Sequence, residues 1–219
     1  MASLGERLGW DLVGIADTPG NAMDPWVALT LAATRTERVG LAACVTNFRT
    51  RHPAITAGAA ASVDALSGGR MILGVGTGHS GVVNVGAAAS GTAGFRERLR
   101  FTRALLAGER ASLDGTATQL PALDRRVPVY AAASGPNALR ISGAVADGAF
   151  VNYGLQAEHV ARARALITDG AAEAGRGPDE VDLWWIAGLD VSDRREAADR
   201  KSTRLNSSHS AKSRMPSSA

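Results

Sequence analysis

Lysine is nearly missing from this 219-residue chain: Lys201 and Lys212 both fall in the last twenty-one residues, with seven of the serines, and the chain up to Ala198 uses arginine alone. Cysteine is scarcer still. Cys44 stands alone, which excludes an internal disulfide and suits a reducing compartment. There is no lysine-rich run, no interleaving of aromatic with basic residues and no Cys/His pair at zinc spacing, so neither nucleic-acid binding nor a metal site is expected. No apolar stretch reaches membrane-spanning length, and Met1 to Trp10 has no secretory apolar core. The expected location is cytoplasmic, with no membrane partner.

The lysine-bearing end is foreign to the rest. From Asp199, DRKSTRLNSSH matches the translation of a common sequencing-library adapter, and the closing SRMPSSA matches the adjoining primer. Residues 199–219 are therefore expected to be a non-native disordered tail, and residues 1–198 the domain. A native Ser/Lys-rich tail is the alternative. The tail holds five of the 24 Lys and Arg and one of the 21 Asp and Glu, leaving 19 cations against 20 anions. The formal charge of +3 thus belongs to the tail.

What is present is a repeated strand and helix. Val39 to Ser80 holds two apolar strands joined by a helix that should open at Pro53, whose fixed φ suits a first turn, and stop at Gly68-Gly69. Ile55, Ala59, Val63 and Leu66 form its expected apolar face. Parallel strands need such a crossover, and ligands gather where strand C-termini meet the following loops. The segments TNFRTRHP and GTGHS sit at that edge.

Along the whole chain, strands are expected at 11–16, 39–46, 71–75, 127–132, 149–151 and 183–191. Helices are expected at 1–8, 26–36, 53–67, 95–107, 136–145 and 157–174. Asp24-Pro25 caps the second helix, and Leu99, Ala104, Leu105 and Leu106 supply a stripe on the fourth. Asp114-Gly115 turns a small hairpin between 111–113 and 118–120. Six strands alternating with helices imply a parallel sheet, either doubly wound or closed as a barrel. Polar or glycine-rich turns after nearly every strand favour the barrel.

With LGWDLVGIAD, VTNFRTRHPAITAGAAASVDALSGGRMILGVGTGHS, FTRALLAGE and PVYAAASGPNALRISGAVADGAFVNYGL in view, the chain resembles the luciferase-like flavin and deazaflavin oxidoreductases. VTN with RHP, GTGHS and ASGP resemble the branch similar to methylene-tetrahydromethanopterin reductase. The resemblance implies a TIM (β/α)8 barrel, incomplete here: about six of eight strands, lacking elements before LGWD and after DVSDRREAA. Such a piece is expected to leave unpaired edges and to aggregate or stay partly open.

The resemblance also assigns the site. It sets Gly76-Thr77-Gly78 against a flavin-like ring, where glycine admits close approach; a plain βα turn is the alternative. It implies a bulge with a cis peptide at Cys44-Val45, continuing into Thr46 and Asn47, against the ring's rear face. Read from sequence alone, Cys44 is a small buried apolar residue. Ser134 and Gly135, with Pro136 opening a helix, would receive the cofactor's phosphate-bearing side chain; a Ser cap is the alternative. Tyr153 and Gly154 would complete that wall. Asp17 would meet substrate or shuttle a proton, or merely cap its loop, and Thr18 stands where the family commonly has histidine. His79 and Ser80 either line the pocket or cap a helix. Arg49, Arg51 and His52 form a positive rim or a solvated loop.

The implied activity is hydride transfer between deazaflavin (coenzyme F420) and a small organic substrate. FMN with molecular oxygen, giving a monooxygenase, is the near alternative; a non-catalytic cofactor-binding barrel or an inactive fragment are the others. The parent enzyme is expected to be a homo-oligomer.

Overall fold

The computed structural model describes residues 1–188. The end of the expected last strand, 189–191, and the tail 199–219 lie outside the described residues. Helix α1 (Ala2–Arg7) leads to β1 (Leu12–Ile15), α2 (Pro25–Ala33), β2 (Gly40–Asn47), α3 (Pro53–Ser67) and β3 (Met71–Gly76). Then come α4 (Ser80–Val83), α5 (Thr92–Leu106), a hairpin of β4 (Ala111–Leu113) and β5 (Thr116–Thr118), and β6 (Val129–Ala133). The series closes with α6 (Pro136–Val145), β7 (Gly148–Val151), α7 (Ala157–Glu173), a 3-10 turn (Pro178–Glu180) and β8 (Asp182–Trp185).

Strands β1, β2, β3, β6, β7 and β8 lie side by side in that order, every neighbouring pair parallel. A doubly wound sheet reverses direction at a switch point, whereas this one advances strand by strand as a barrel does. The sheet is six strands of an incomplete barrel.

Local chemistry sets the element ends. Asp24 Oδ1 accepts from the N–H groups of Trp26 (2.9 Å) and Val27 (3.2 Å), and Pro25 fills the first turn of α2. His52 Nδ1 accepts from Ala54 N–H at 3.2 Å, Pro53 opens α3, and Gly68 ends it in the left-handed region at φ 68°. Asp114 and Gly115 both have positive φ, a type I′ turn that pairs Leu113 directly with Thr116. The second arm of the hairpin therefore starts two residues earlier than expected.

Period-two alternation gives the inner strands of the sheet two buried faces, while the edge strands β1 and β8 are only partly covered. Leu41, Ala43, Leu73, Val75, Val129 and Ala131 meet Leu29 of α2, Ala57 and Val63 of α3, and Phe95, Leu99 and Leu105 of α5. On the other face Ala42, Tyr130 and Phe150 form the barrel's inner layer with Leu12, Cys44, Val45 and Ile72. The Tyr130 and Phe150 rings lie 5.3 Å apart. Gly74 makes room for Phe150, whose Cε2 lies 2.6 Å from where a Cβ would stand. A third cluster joins α6 and α7 to β7 through Leu139, Val151, Ala163 and Ile167.

Helix α3 departs from its expected face. Val63 is buried and Ala59 is half-buried, but Ile55 and Leu66 are 59 % and 56 % exposed. The buried side carries Thr56, Ala57, Ala60, Asp64 and Ser67 instead. Small residues let the helix lie close to the sheet. Asp64 is satisfied there: its Oδ1 accepts from Met71 N–H at 3.1 Å and its Oδ2 pairs with Arg125 Nε at 3.3 Å. Arg70, the residue before Met71, donates to the carbonyls of Ala33, Thr36, Val39 and Ser67, tying the ends of α2, β2 and α3 together at the end of the barrel away from the polar turns.

Candidate active site

The C-terminal ends of β1, β2, β3 and β6 open on one cleft of about 280 Å³. Its lining includes Asp17, the run Cys44 to Asn47, Gly76 to Gly78 and Ser134, contributed by four strand ends far apart in sequence. His79 and Ser80 line it too, as do Ala16, Thr18, Gly81 and Ala132. The volume falls just below the range of ligand pockets, which begins at roughly 300 Å³.

The β2 wall is irregular. Leu41 to Ala43 pair with Met71 to Leu73, then the register shifts and Thr46 and Asn47 pair with Val75 and Gly76. Cys44-Val45 is a cis peptide within that bulge. Thr46, only 1 % exposed, donates its hydroxyl proton to Asp17 Oδ2 at 2.6 Å. Asn47 Oδ1 accepts from Arg49 N–H (2.8 Å), Thr50 N–H (2.9 Å) and the Thr50 hydroxyl (3.2 Å), so the side chain of Asn47 builds the turn out of the strand. Burial pushes the Cys44 thiol above its ordinary pKa, which disfavours the thiolate.

At the β3 turn Gly76 packs closely between its neighbours. A Cβ on Gly76 would meet Val45 Cγ2 at 3.2 Å and Ala132 Cβ at 3.4 Å, so Val45, Gly76 and Ala132 form a continuous apolar floor. Gly78 has φ +90°, and any side chain there would run into Val82. Beyond it, the stretch between β3 and α5 contains α4, which packs on the Asp17 loop: a Cβ on Gly81 would stand 2.4 Å from the Asp17 carbonyl oxygen, and Asn84 Nδ2 donates to the Pro19 carbonyl at 2.9 Å. Ser90 N–H closes the loop onto the Thr77 carbonyl at 2.8 Å.

Ser134 is exposed to the cleft and does not cap α6; Gly135 occupies the cap position, without a side-chain bond. Gly135, Tyr153 and Gly154 follow β6 and β7 at the same edge of the sheet, outside the cleft's lining. Tyr153 stands edge-on to His159, ring centroids 6.0 Å apart, and Gly154 has φ +102°. The three basic residues after β2 are occupied elsewhere. Arg49 Nε donates to the Ala88 carbonyl at 2.8 Å, Arg51 lies over the Trp26 ring and 3.7 Å from Asp24, and His52 caps α3.

Sequence reasoning missed Ala16, Gly81 and Ala132. Ala132 was within reach, because alternation from the buried outward-facing Ala131 and Ala133 points it inward. Gly81 had no local signal. It sits in a four-residue helix held by contacts with a loop some sixty residues upstream.

The sequence profile described as "Luciferase-like monooxygenase" matches residues 1–217. A 5,10-methylenetetrahydromethanopterin reductase of Methanolobus tindarius is 33% identical over 208 residues, covering 92% of this chain and 63% of the relative. An F420-dependent glucose-6-phosphate dehydrogenase of Beutenbergia cavernae is 36% identical over 206 residues, 82% of this chain and 60% of the relative. Among solved structures, the coenzyme F420-dependent tetrahydromethanopterin reductase of Methanopyrus kandleri superimposes with a TM-score of 0.74 at 28% identity, covering 90% of this chain and 63% of that one. The chain spans about three fifths of the length of these relatives.

Proposed function

We propose, from the premise that this chain belongs to the luciferase-like monooxygenase family, that it forms part of an oxidoreductase passing hydride between a deazaflavin, coenzyme F420, and a small organic substrate. In this reading residues 1–198 are an incomplete barrel domain and 199–219 an added tail. One observation carries the proposal: Asp17, the Cys44 to Asn47 bulge, the Gly76 to Gly78 turn and Ser134 converge on a single cleft. The dependence on F420 stated for several relatives supports deazaflavin over FMN.

The residues present suit a planar redox ring. Val45, Gly76 and Ala132 offer a flat apolar floor, and Asp17, Thr46 and Ser134 a polar rim. When bound, the deazaflavin supplies the two-electron chemistry. The chain's own residues bind, orient and shield. Val45 and Gly76 face the ring and Gly78 keeps the turn tight. Ser134 and Gly135 take the phosphate-bearing side chain, with Tyr153 and Gly154 alongside. Asp17 meets the substrate and holds or passes a proton at its carboxylate. Cys44 takes no redox part, because burial disfavours its thiolate.

Titrating the complete gene product with F420 and with FMN, read by absorbance and fluorescence, tests the proposal. Saturable F420 binding that Gly76→Val abolishes is the expected result, since the added side chain would push Val45 and Ala132 out of the floor they form with it. FMN bound in preference, with oxygen-dependent turnover, would replace the reading with a monooxygenase; binding of neither would end it.

A further inference from the structure

We infer that Thr46 is a positioning residue: its hydroxyl is committed to the Asp17 carboxylate, not to the cofactor, and fixes where that carboxylate meets the substrate. The inference rests on the proposed substrate-facing role of Asp17 and deepens it.

Three observations combine. A threonine hydroxyl has one proton to donate, and Thr46 gives it to Asp17 Oδ2 at 2.6 Å. The Thr46 backbone cannot drift, because it sits in β2 in register with Val75 and is 1 % exposed. The main chain of Asp17 is held from the opposite side. Gly81 of α4 packs so closely that a Cβ there would stand 2.4 Å from the Asp17 carbonyl oxygen, and Asn84 fastens Pro19 two residues on. With its backbone pinned, Asp17 retains only side-chain rotation, and the bond from Thr46 removes it. Catalytic groups act efficiently when held within about half an ångström of productive geometry, and a hydroxyl locked into a strand is a rigid means of doing so.

The requirement is visible in how the strand is built. The register shift between Ala43 and Thr46 brings Thr46 opposite Val75, next to the strand end that carries Asn47. Asp17 lies 29 residues upstream, beyond the end of the neighbouring parallel β1. The contact thus joins two adjacent strand ends across the mouth of the cleft.

The test uses the complete enzyme with F420 and compares Thr46→Val, Thr46→Ser, Asp17→Asn and the Thr46→Val/Asp17→Asn pair. F420 affinity is read by fluorescence titration, and hydride transfer by loss of deazaflavin absorbance with a panel of alcohol and sugar-phosphate donors. Thr46→Val is expected to leave the F420 Kd within about twofold while lowering turnover roughly tenfold, and Thr46→Ser to restore most of the rate. The double variant should be no slower than Asp17→Asn alone. A Thr46→Val enzyme whose F420 Kd rises in step with its loss of rate overturns the inference, because the hydroxyl would then serve the cofactor. Rate losses that multiply in the double variant overturn it too. An Asp17→Asn enzyme that binds F420 and turns over normally removes the proposed role of Asp17 itself, and absence of F420 binding in the wild type removes the reading beneath it. Thermal melts, without cofactor, of wild type, Thr46→Val, Asp17→Ala and the Thr46→Val/Asp17→Ala pair provide a check independent of any donor, because each single variant removes the bond: coupling between the two substitutions supports it, and purely additive melts refute it.

Discussion

Helices α6 and α7 cross on two glycines, and replacing either with alanine sets two effects of opposite sign against each other. A Cβ on Gly170 would stand 2.0 Å from the Arg140 carbonyl oxygen, and one on Gly143 2.0 Å from that of Ile167. Real contacts of this kind essentially never fall below 3.0 Å, so the helices must part by about 1 Å. A gap of that size forfeits about a quarter to a half of each van der Waals contact across it, here among Leu139, Ala163 and Ile167. Overpacking of this kind costs about 1–3 kcal/mol. Against it stands helix propensity, which favours alanine over glycine by about 1 kcal/mol. The clash involves rigid backbone on both sides, which puts its cost at the upper end of that range, so it wins: Gly170→Ala is expected to destabilise by up to roughly 2 kcal/mol net. Gly58 of α3 is the internal control. Its nearest neighbour would be Leu120 Cδ2 at 4.0 Å, so Gly58→Ala should stabilise by about 0.5–1 kcal/mol. Urea unfolding followed by far-ultraviolet circular dichroism reads both. The two crossing variants combined should lose less than the sum of the singles, because one separation relieves both clashes. A Gly170→Ala protein as stable as the wild type would refute the reasoning.

Two further outcomes follow from titratable groups. Glu6 accepts the N–H groups of Val39, Arg38 and Glu37, and these bonds, that from Val39 foremost, lower its pKa in the folded protein. Its contribution is therefore complete above the ordinary carboxylate pKa and disappears as pH falls through the lower folded value, so the stability gap between wild type and Glu6→Gln should narrow from pH 7 to pH 3 in urea melts; a gap constant with pH would contradict this. Cys44, with its pKa raised by burial, should react with a thiol reagent at pH 7 far more slowly in the folded protein than in urea, and equal rates would show that the bulge leaves it open.

Much of the architecture was legible because its signals are local. Asp24-Pro25, Pro53 and Gly68 mark helix ends through caps and backbone preferences that act within a few residues. Short apolar runs between helical stretches gave the six strands, and the turn at Gly76 to Gly78 pointed to the strand ends that form the cleft. Reading failed where a distant partner decides. Asp64 and Arg70 look like surface charges until β3 and the ends of α2 and α3 supply their partners. Ile55 and Leu66 look like core, yet a helix lying close to its sheet uses alanine and threonine instead. Of the strand-end residues named from sequence, Asp17, Cys44 to Asn47, Gly76 to Gly78 and Ser134 line the cleft while Gly135, Tyr153 and Gly154 do not, and the bond between Thr46 and Asp17 was not legible, because it spans 29 residues and depends on the register shift in β2. Helix α4 escaped notice for the same reason.

Because neighbours in the sheet are also neighbours in sequence, each side of the mouth is owned by a single βα module. The stretch from Thr77 to Gly91 enters and leaves without disturbing the pairing of β3 with β2 or β6. An exchange there would keep the strand ladder whole yet release the grip of α4 on the Asp17 loop, so the wall between β1 and β3 can be reshaped only together with that loop.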